Sequence, residues 1–455
     1  MSDRRRRSGA RPPRIHLASL GCAKNLVDSE RLLARLAIAG GLVGAPPEEA
    51  DVILVNTCGF IAAAIEESLD VIEAYAEMKT EGRPLRLLVL GCLVERDRAA
   101  LRKRLPSVDG FFGLDEHEAI VSACGLAPAP EDGARLLLTP PHTAYLRISE
   151  GCDNRCTFCT IPSIRGSFRS RPPQDILREA EELVAGGVRE LNLIGQDTTA
   201  YGRDLPTTYP LDRLVREIAA IDDLRWLRLL YAYPAHVTDD LIDAIDEAPK
   251  ICRYIDLPLQ HLDDAILRRM GRRATRADTL HLIERIRDRL PDVTIRTTFI
   301  VGFPGETDAQ FDELLSLVAQ LRFDHVGVFA YSREEGTPAA ALPDQIPPAE
   351  KERRVGALML LQQRIALERN RERIGSHVEV LVDGPSESRG LWIARTEGQA
   401  PDVDSVTLVA SEGLTAGRFV DVEITDADGY DLIARPLGKL PPSVRRRSIS
   451  RSMFP

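Results

Sequence analysis

The sequence predicts a three-part α/β molecule: an open parallel sheet with crossover helices, a partial β/α barrel, and a small all-β barrel. Three observations predict it. The chain has 455 residues, 44% apolar and 28% charged, enough for three cores at roughly 150 residues each. Apolar β-rich runs alternate with amphipathic helical periods over most of its length. After a long charged helix, the pattern changes to short alternating runs broken by Gly, Asp and Pro. This composition excludes wholesale disorder and fibrous repeats. No apolar run approaches the ~18 residues a spanning helix needs, which excludes a membrane-embedded chain.

The elements follow in order. Residues 1–13 form a basic arm; the first fourteen residues hold six Arg and one Asp. No apolar stretch of signal-peptide length follows the arginines, so a cytoplasmic address is expected. Residues 14–138 read as strand 15–20, helix 27–39, strand 52–56, helix 61–78, strand 85–90 and helix 95–105. Residues 139–375 repeat the alternation, with strands expected at 145–148, 190–194, 226–231, 254–257, 294–301 and 325–330 and a trailing charged helix over 348–374. Six βα units fit a partial or full barrel, with function at the C-terminal ends of its strands. Residues 376–440 form the small β domain, and 441–455 a second basic tail carrying four Arg.

In a reducing compartment the eight cysteines are metal or catalytic thiols before they are disulfides. Cys152, Cys156 and Cys159 are spaced C-x3-C-x2-C in the loop after the first barrel strand. Structural zinc wants four ligands, usually from paired C-x2-C knuckles, and no second pair is present. Three thiolates suit a 4Fe–4S cluster that keeps one iron open to an outside ligand. Cys22, Cys58 and Cys92 each follow a predicted strand, one βα unit apart. Neighbouring strand ends of an open parallel sheet converge on one crevice, so these three can meet as a second site, although each alone also reads as a buried apolar thiol. Cys124 and Cys252 have no partner at ligand spacing and are expected to be packed thiols.

The C-x3-C-x2-C loop with Phe158 before its last cysteine resembles the radical S-adenosylmethionine (SAM) superfamily. IVGFPGE (300–306) is similar to a SAM-contacting segment of those enzymes, which would give Gly302, Pro304, Gly305 and Glu306 cofactor roles. The three-cysteine N-terminal domain, barrel and TRAM-like β domain together resemble the methylthiotransferase family over residues 14–440. SLGCAKNLVDSE (19–30), GQDTTAYG (195–202), YIDLPLQH (254–261) and YSREEGTPA (331–339) look like the branch that modifies a ribosomal protein. They look less like the branch that modifies tRNA. Ala23 and Thr160 depart from the pattern, at positions that are not ligands.

The resemblance implies two 4Fe–4S clusters and SAM. The Cys152/Cys156/Cys159 cluster would chelate SAM and cleave it reductively to a 5′-deoxyadenosyl radical. That radical would take hydrogen from the β-carbon of an aspartate in small-subunit ribosomal protein number twelve, free or within a ribosomal particle. The Cys22/Cys58/Cys92 cluster would present the sulfur, and a second SAM the methyl group. A donor such as flavodoxin or ferredoxin would supply electrons and a further partner the sulfur, with no membrane or DNA involved. The chemistry is coherent: a hydrogen beside an ionised carboxylate is a poor acid, so a side-chain base is ineffective and cofactor radical chemistry is needed.

The β domain bears on protein against RNA. Residues 376–440 hold twelve acids and five bases, a balance that would repel RNA and attract a basic polypeptide. A tRNA methylthiotransferase and a non-enzymatic iron–sulfur scaffold or electron carrier stay as alternatives. The SAM-like segment and some 200 barrel residues count against the scaffold. Among further candidates, Gln196 and Asp197 end the second barrel strand, facing SAM or substrate or capping the strand. Arg165 balances cluster or carboxylate charge or lies on the surface, and His261 reads as a satisfied structural histidine.

Overall fold

The computed structural model describes residues 11–80, 85–128 and 134–438. Apart from residues 11–13, both expected basic arms lie outside the described residues, as do Lys439 and Leu440. The fold class is the one the alternation implies. The first sheet is parallel, in the order Leu42–Val43, Arg14–Ser19, Val52–Thr57, Arg86–Gly91 and Gly110–Phe112. Its central strand, VILVNT, is buried at every position, because helices cover both faces. Alternate strand residues feed opposite cores. Ile53, Val55, Leu87 and Val89 pack with Leu69, Ile72 and Leu93 on one side, and Ile15, Leu54 and Leu88 with Leu32 and Leu36 on the other. The two edge strands escape sequence reading because two or three residues cannot display an alternation.

The second sheet carries six parallel strands in sequence order: Thr143–Arg147, Glu190–Ile194, Trp226–Leu229, Ile251–Gln260, Thr294–Val301 and His325–Ala330. It is a partial barrel, with its first and last strands unpaired to each other. The helix Pro348–Glu372 packs Leu358 and Ile365 into the same core. The last part is a closed five-stranded barrel built from His377–Pro385, Leu391–Thr396, Thr407–Ala410, Phe419–Asp428 and Asp431–Pro436. Val380, Val409, Val422 and Ile424 fill it.

This small barrel sits across the N-terminal ends of the six parallel strands. Glu190, fully buried, is bound there by Arg395 at 2.8 Å and by Arg228 at 3.2 Å. Asp383 meets His142 and Arg395, Asp402 accepts from the Tyr145 hydroxyl, and Asp404 meets Arg296 and the Tyr254 hydroxyl. Three of the domain's twelve acids, Asp383, Asp402 and Asp404, are therefore engaged at this junction. Its exposed charges remain acidic, with Glu387, Glu397, Asp402, Glu412, Asp421, Asp426 and Asp428 against Arg389, Arg418 and Arg435.

Candidate active site

At the opposite, C-terminal ends of the strands, one cavity of about 440 Å³ separates the first two domains, and all six cysteines of the two triads line it. Local sequence explains how each arrives there. Cys22 caps helix Ala23–Ile38 directly after the first strand, Cys58 follows Val52–Thr57, and Cys92 opens helix Cys92–Arg104 directly after Arg86–Gly91. Gly21 and Gly91 make these turns possible. Gly91 has φ 99°, and a Cβ there would lie 2.2 Å from Asn56 Oδ1; at Gly21, φ 87°, it would lie 2.7 Å from Cys58 Cβ. Only glycine adopts such turns at little cost. Cys152, Cys156 and Cys159 lie on the loop after the short strand Ser149–Glu150.

Donors face the sulfurs. Arg165 Nη2 lies 3.3 Å from Cys92 Sγ, the Ile161 N–H donates to Cys159 Sγ at 3.4 Å, and Arg272 Nη1 lies 3.8 Å from Cys156 Sγ. Burial pushes the Cys58 and Cys152 thiols up, and those of Cys92 and Cys159 up to about 12. At Cys22 burial also acts upward, but the Lys24 ammonium, the N–H groups of Asn25 and Lys24 and the Arg165 guanidinium together hold the thiol below its ordinary value. Its thiol opens onto the cavity while protein surrounds that cavity, which is why the residue is exposed by surface area yet strongly desolvated.

The donor set fits iron–sulfur clusters. All eight cysteines are free thiols. Among the described residues, no three Cys, His, Asp or Glu side chains converge as a single metal ion requires. Each triad offers three thiols on one cavity, the number that holds a four-iron cluster with one iron open, whereas structural zinc takes four protein ligands.

Other sequence candidates divide. Phe158 and Gln196 line the cavity, and Gln196 Oε1 is buried without a hydrogen-bond partner. Arg165 is 6% exposed and binds Asp28, Glu150 and Asn25, so the surface-arginine alternative is wrong. Asp197 stays outside this cavity: it caps the turn Thr198–Ala200 and accepts bonds from Asn154 and His236, as strand-end capping implies. Gly302, Pro304, Gly305 and Glu306 also do not line the cavity. Glu306 turns inward, accepts bonds from the N–H groups of Gly302 and Phe303 and pairs with Arg354. The Arg269 guanidinium fills the space over Gly305 and donates to the Pro304 carbonyl. His261 is only half satisfied. Its Nδ1 accepts from the Asp263 N–H, while Nε2 faces Glu306 at 3.6 Å with no hydrogen bond. Cys124 and Cys252 are packed thiols, 2% and 1% exposed.

Sequence reasoning missed Lys24, Asn25, Tyr231 and Arg272 on the cavity wall. Lys24 and Asn25 stand beside Cys22 in the sequence, a signal that could have been used; Tyr231 and Arg272 carry none. Tyr231 adopts φ 60°, pinned by the bond from its N–H to Asp256 Oδ2 and by Thr198 donating to its carbonyl.

Three family descriptions match: the Radical SAM superfamily over residues 146–318, the uncharacterized protein family UPF0004 over 14–113, and the TRAM domain over 374–437. The ribosomal protein uS12 methylthiotransferase RimO of Geobacter sulfurreducens is 46% identical over 436 residues, spanning 92% of this chain and 98% of that relative. The chain belongs to the RimO family. Proteins of the same description from Syntrophus aciditrophicus and Pelotomaculum thermopropionicum are also 46% identical, again over 92% of this chain and 97% and 98% of theirs. The RimO-family fold is shared with the radical SAM methyltransferase TsrM of Kitasatospora setae. One TsrM structure has a TM-score of 0.53 at 14% identity, covering 84% of this chain and 77% of that one. Another has 0.51 at 16% identity, covering 70% and 72%. No helix among the described residues is long and apolar enough to cross a membrane.

Proposed function

We propose that this chain is a radical SAM methylthiotransferase that adds a methylthio group to the β-carbon of an aspartate in ribosomal protein uS12, working in the cytoplasm. The observation that carries the reading is the meeting of six cysteines from two domains on one cavity. Cys152, Cys156 and Cys159 would hold the SAM-binding 4Fe–4S cluster, and Cys22, Cys58 and Cys92 the cluster that carries sulfur. When bound, these groups and SAM supply a radical able to take a hydrogen from carbon, together with the sulfur and methyl that replace it.

The residues of the chain bind, orient and exclude water. Arg165 neutralises thiolate charge at Cys92 while anchored on Asp28 and Glu150, joining the two domains at the cavity wall. Phe158 and Ile164 give the wall an apolar surface, which keeps reactive species from water. Gln196 turns an unpartnered carbonyl oxygen inward for SAM or substrate. Phe60 and Phe329 line the cavity yet are 38% and 52% exposed, so they mark the rim where a polypeptide loop enters. The acidic excess on the exposed surface of the small barrel favours a basic ribosomal protein over RNA. An electron donor of the flavodoxin or ferredoxin class and a sulfur donor complete the system.

The test is the intact mass of uS12 from the native strain and from one lacking this gene. A methylthio increment on an aspartate should vanish with the gene. Unchanged uS12, with methylthio nucleosides lost from tRNA, would overturn the reading in favour of an RNA substrate.

A further inference from the structure

The cations on the cavity wall are not equivalent. Arg165 pairs with Asp28 and Glu150, and Arg296 with Asp256 and Asp404. Arg272, without a carboxylate partner among the described residues and 4.2 Å from the Tyr233 ring centre, is satisfied by the Pro258 carbonyl and faces Cys156. Lys24 is different. It stands in the first turn of helix Ala23–Ile38, is 8% exposed and lines the cavity. Its ammonium lies 3.5 Å from the centre of the Tyr231 ring, and among the described residues it forms no ion pair with a carboxylate. A ring face only partly replaces water around a buried cation. The support beneath it is itself held under strain, since the left-handed backbone of Tyr231 is one that non-glycine residues keep only where the surroundings enforce it.

We propose that Lys24, seated on Tyr231, is the site for the side-chain carboxylate of the substrate aspartate. This rests on the aspartate reading above and deepens it. The β-carbon of an aspartate is bonded directly to its carboxylate carbon, so fixing the carboxylate fixes the reacting carbon to within a bond length, the condition for efficient attack. Lys24 is two residues from Cys22, so a carboxylate held there presents its β-carbon beside the sulfur-carrying triad and within the same cavity as the other. The arrangement also selects. A neutral amide or nucleobase would leave the ammonium unpaired, and sites built around a buried polar group reject ligands that lack its partner. Lys24 also acts on the Cys22 thiol, but Arg165 already faces the same triad at Cys92, so charge balance at the cysteines does not by itself call for a second buried cation.

The experiment is a calorimetric titration of the cluster-loaded enzyme with uS12 and with uS12 carrying Asn at the modified aspartate. It compares the parent enzyme, Lys24→Met and Lys24→Arg. The parent should prefer the aspartate form by about thirtyfold or more, the scale for a buried charge pair broken on one side. Lys24→Met should bind both forms equally, at the parent's affinity for the Asn form, and Lys24→Arg should regain part of the preference. Iron content and the visible absorption should be unchanged in both variants. An equal loss for both forms of uS12, or loss of half the iron from Lys24→Met, overturns the proposal and leaves the methylthiotransferase reading standing. If the parent binds neither form, both fall together.

Discussion

Replacing Glu190 by Gln should loosen the small β-barrel from the parallel sheet while leaving both cysteine triads in place. The Glu190 carboxylate accepts from Arg395 at 2.9 and 2.8 Å, from Arg228 at 3.2 Å and from Thr143 Oγ1 at 2.9 Å, with no exposure to solvent. Burial acts to raise its pKa, but the Arg395 and Arg228 charges reverse that and hold it at about 2, against an ordinary 4.5. The difference corresponds to about 3 kcal/mol. Because the folded value is the lower one, this stability is complete above about pH 4.5 and is lost as the pH falls toward 2. The amide keeps the shape of the side chain but removes the counter-charge of Arg228, and breaking a buried pair in this way costs about 3–5 kcal/mol. Arg395 retains Asp383, which places the expected loss at the lower end.

Urea is the denaturant of choice, since a salt would screen the interaction. Trp226, edge-on to Phe419 at 4.9 Å across the junction, reports undocking by fluorescence, and hydrogen exchange over 377–438 locates it. The Gln variant should undock at lower urea, with exchange rising first in the small barrel. A double variant with Arg395→Met should lose less than the two single losses combined. A Gln variant within about 0.5 kcal/mol of the parent, the range of an ordinary surface change, would refute the claim that this charge cluster couples the domains.

Three further outcomes are expected. Cys22→Ala, Cys58→Ala or Cys92→Ala should each lose about half the bound iron and all sulfur insertion but keep reductive SAM cleavage, whereas Cys156→Ala should lose cleavage; iron analysis and product chromatography separate these cases. Gly91→Ala should destabilise the first domain by about 2–3 kcal/mol through its backbone alone and impair iron loading, read by thermal unfolding and iron analysis; a parent-like melt would refute the strained-turn argument. In iron-free protein near pH 8, iodoacetamide should modify Cys22 before Cys92 or Cys159, because its thiol is held low and theirs are raised to about 12 and only the thiolate reacts. Peptide mapping over time gives the order.

The alternation of apolar runs and amphipathic periods is enough to read the fold class; spacing picks out Cys152, Cys156 and Cys159, while Cys22, Cys58 and Cys92 need their strand-end positions and the family resemblance together. What escaped has physical causes. Arg165 could be placed beside the cluster loop from sequence, but its grip on Asp28 and Cys92 joins segments more than seventy residues apart. The IVGFPGE segment is read from its resemblance to a SAM-contacting segment of the family, and no sequence pattern shows that Glu306 occupies the N–H groups of Gly302 and Phe303 from within. Lys24 and Tyr231 meet across two domains, and no periodicity encodes such a meeting. Net charge misled in part. Counting acids over 376–440 cannot distinguish Asp404, bound to Arg296 inside the junction, from Glu412 in solvent.

The junction at the strand N-termini sets limits on how this enzyme can be re-engineered or can diverge. Arg395 and Asp404 belong to the small barrel, yet they complete charge clusters whose other members, Glu190 and Arg296, line the lumen of the sheet. Arg296 reaches on to Asp256 and the cavity wall. A chimera that imports the small barrel of a relative would therefore have to bring equivalents of both residues, or leave Glu190 to Arg228 and Thr143, and Arg296 to Asp256. Docking of the small barrel and integrity of the site are thus inherited together, and change in the barrel would have to begin on its exposed surface, away from Arg395 and Asp404.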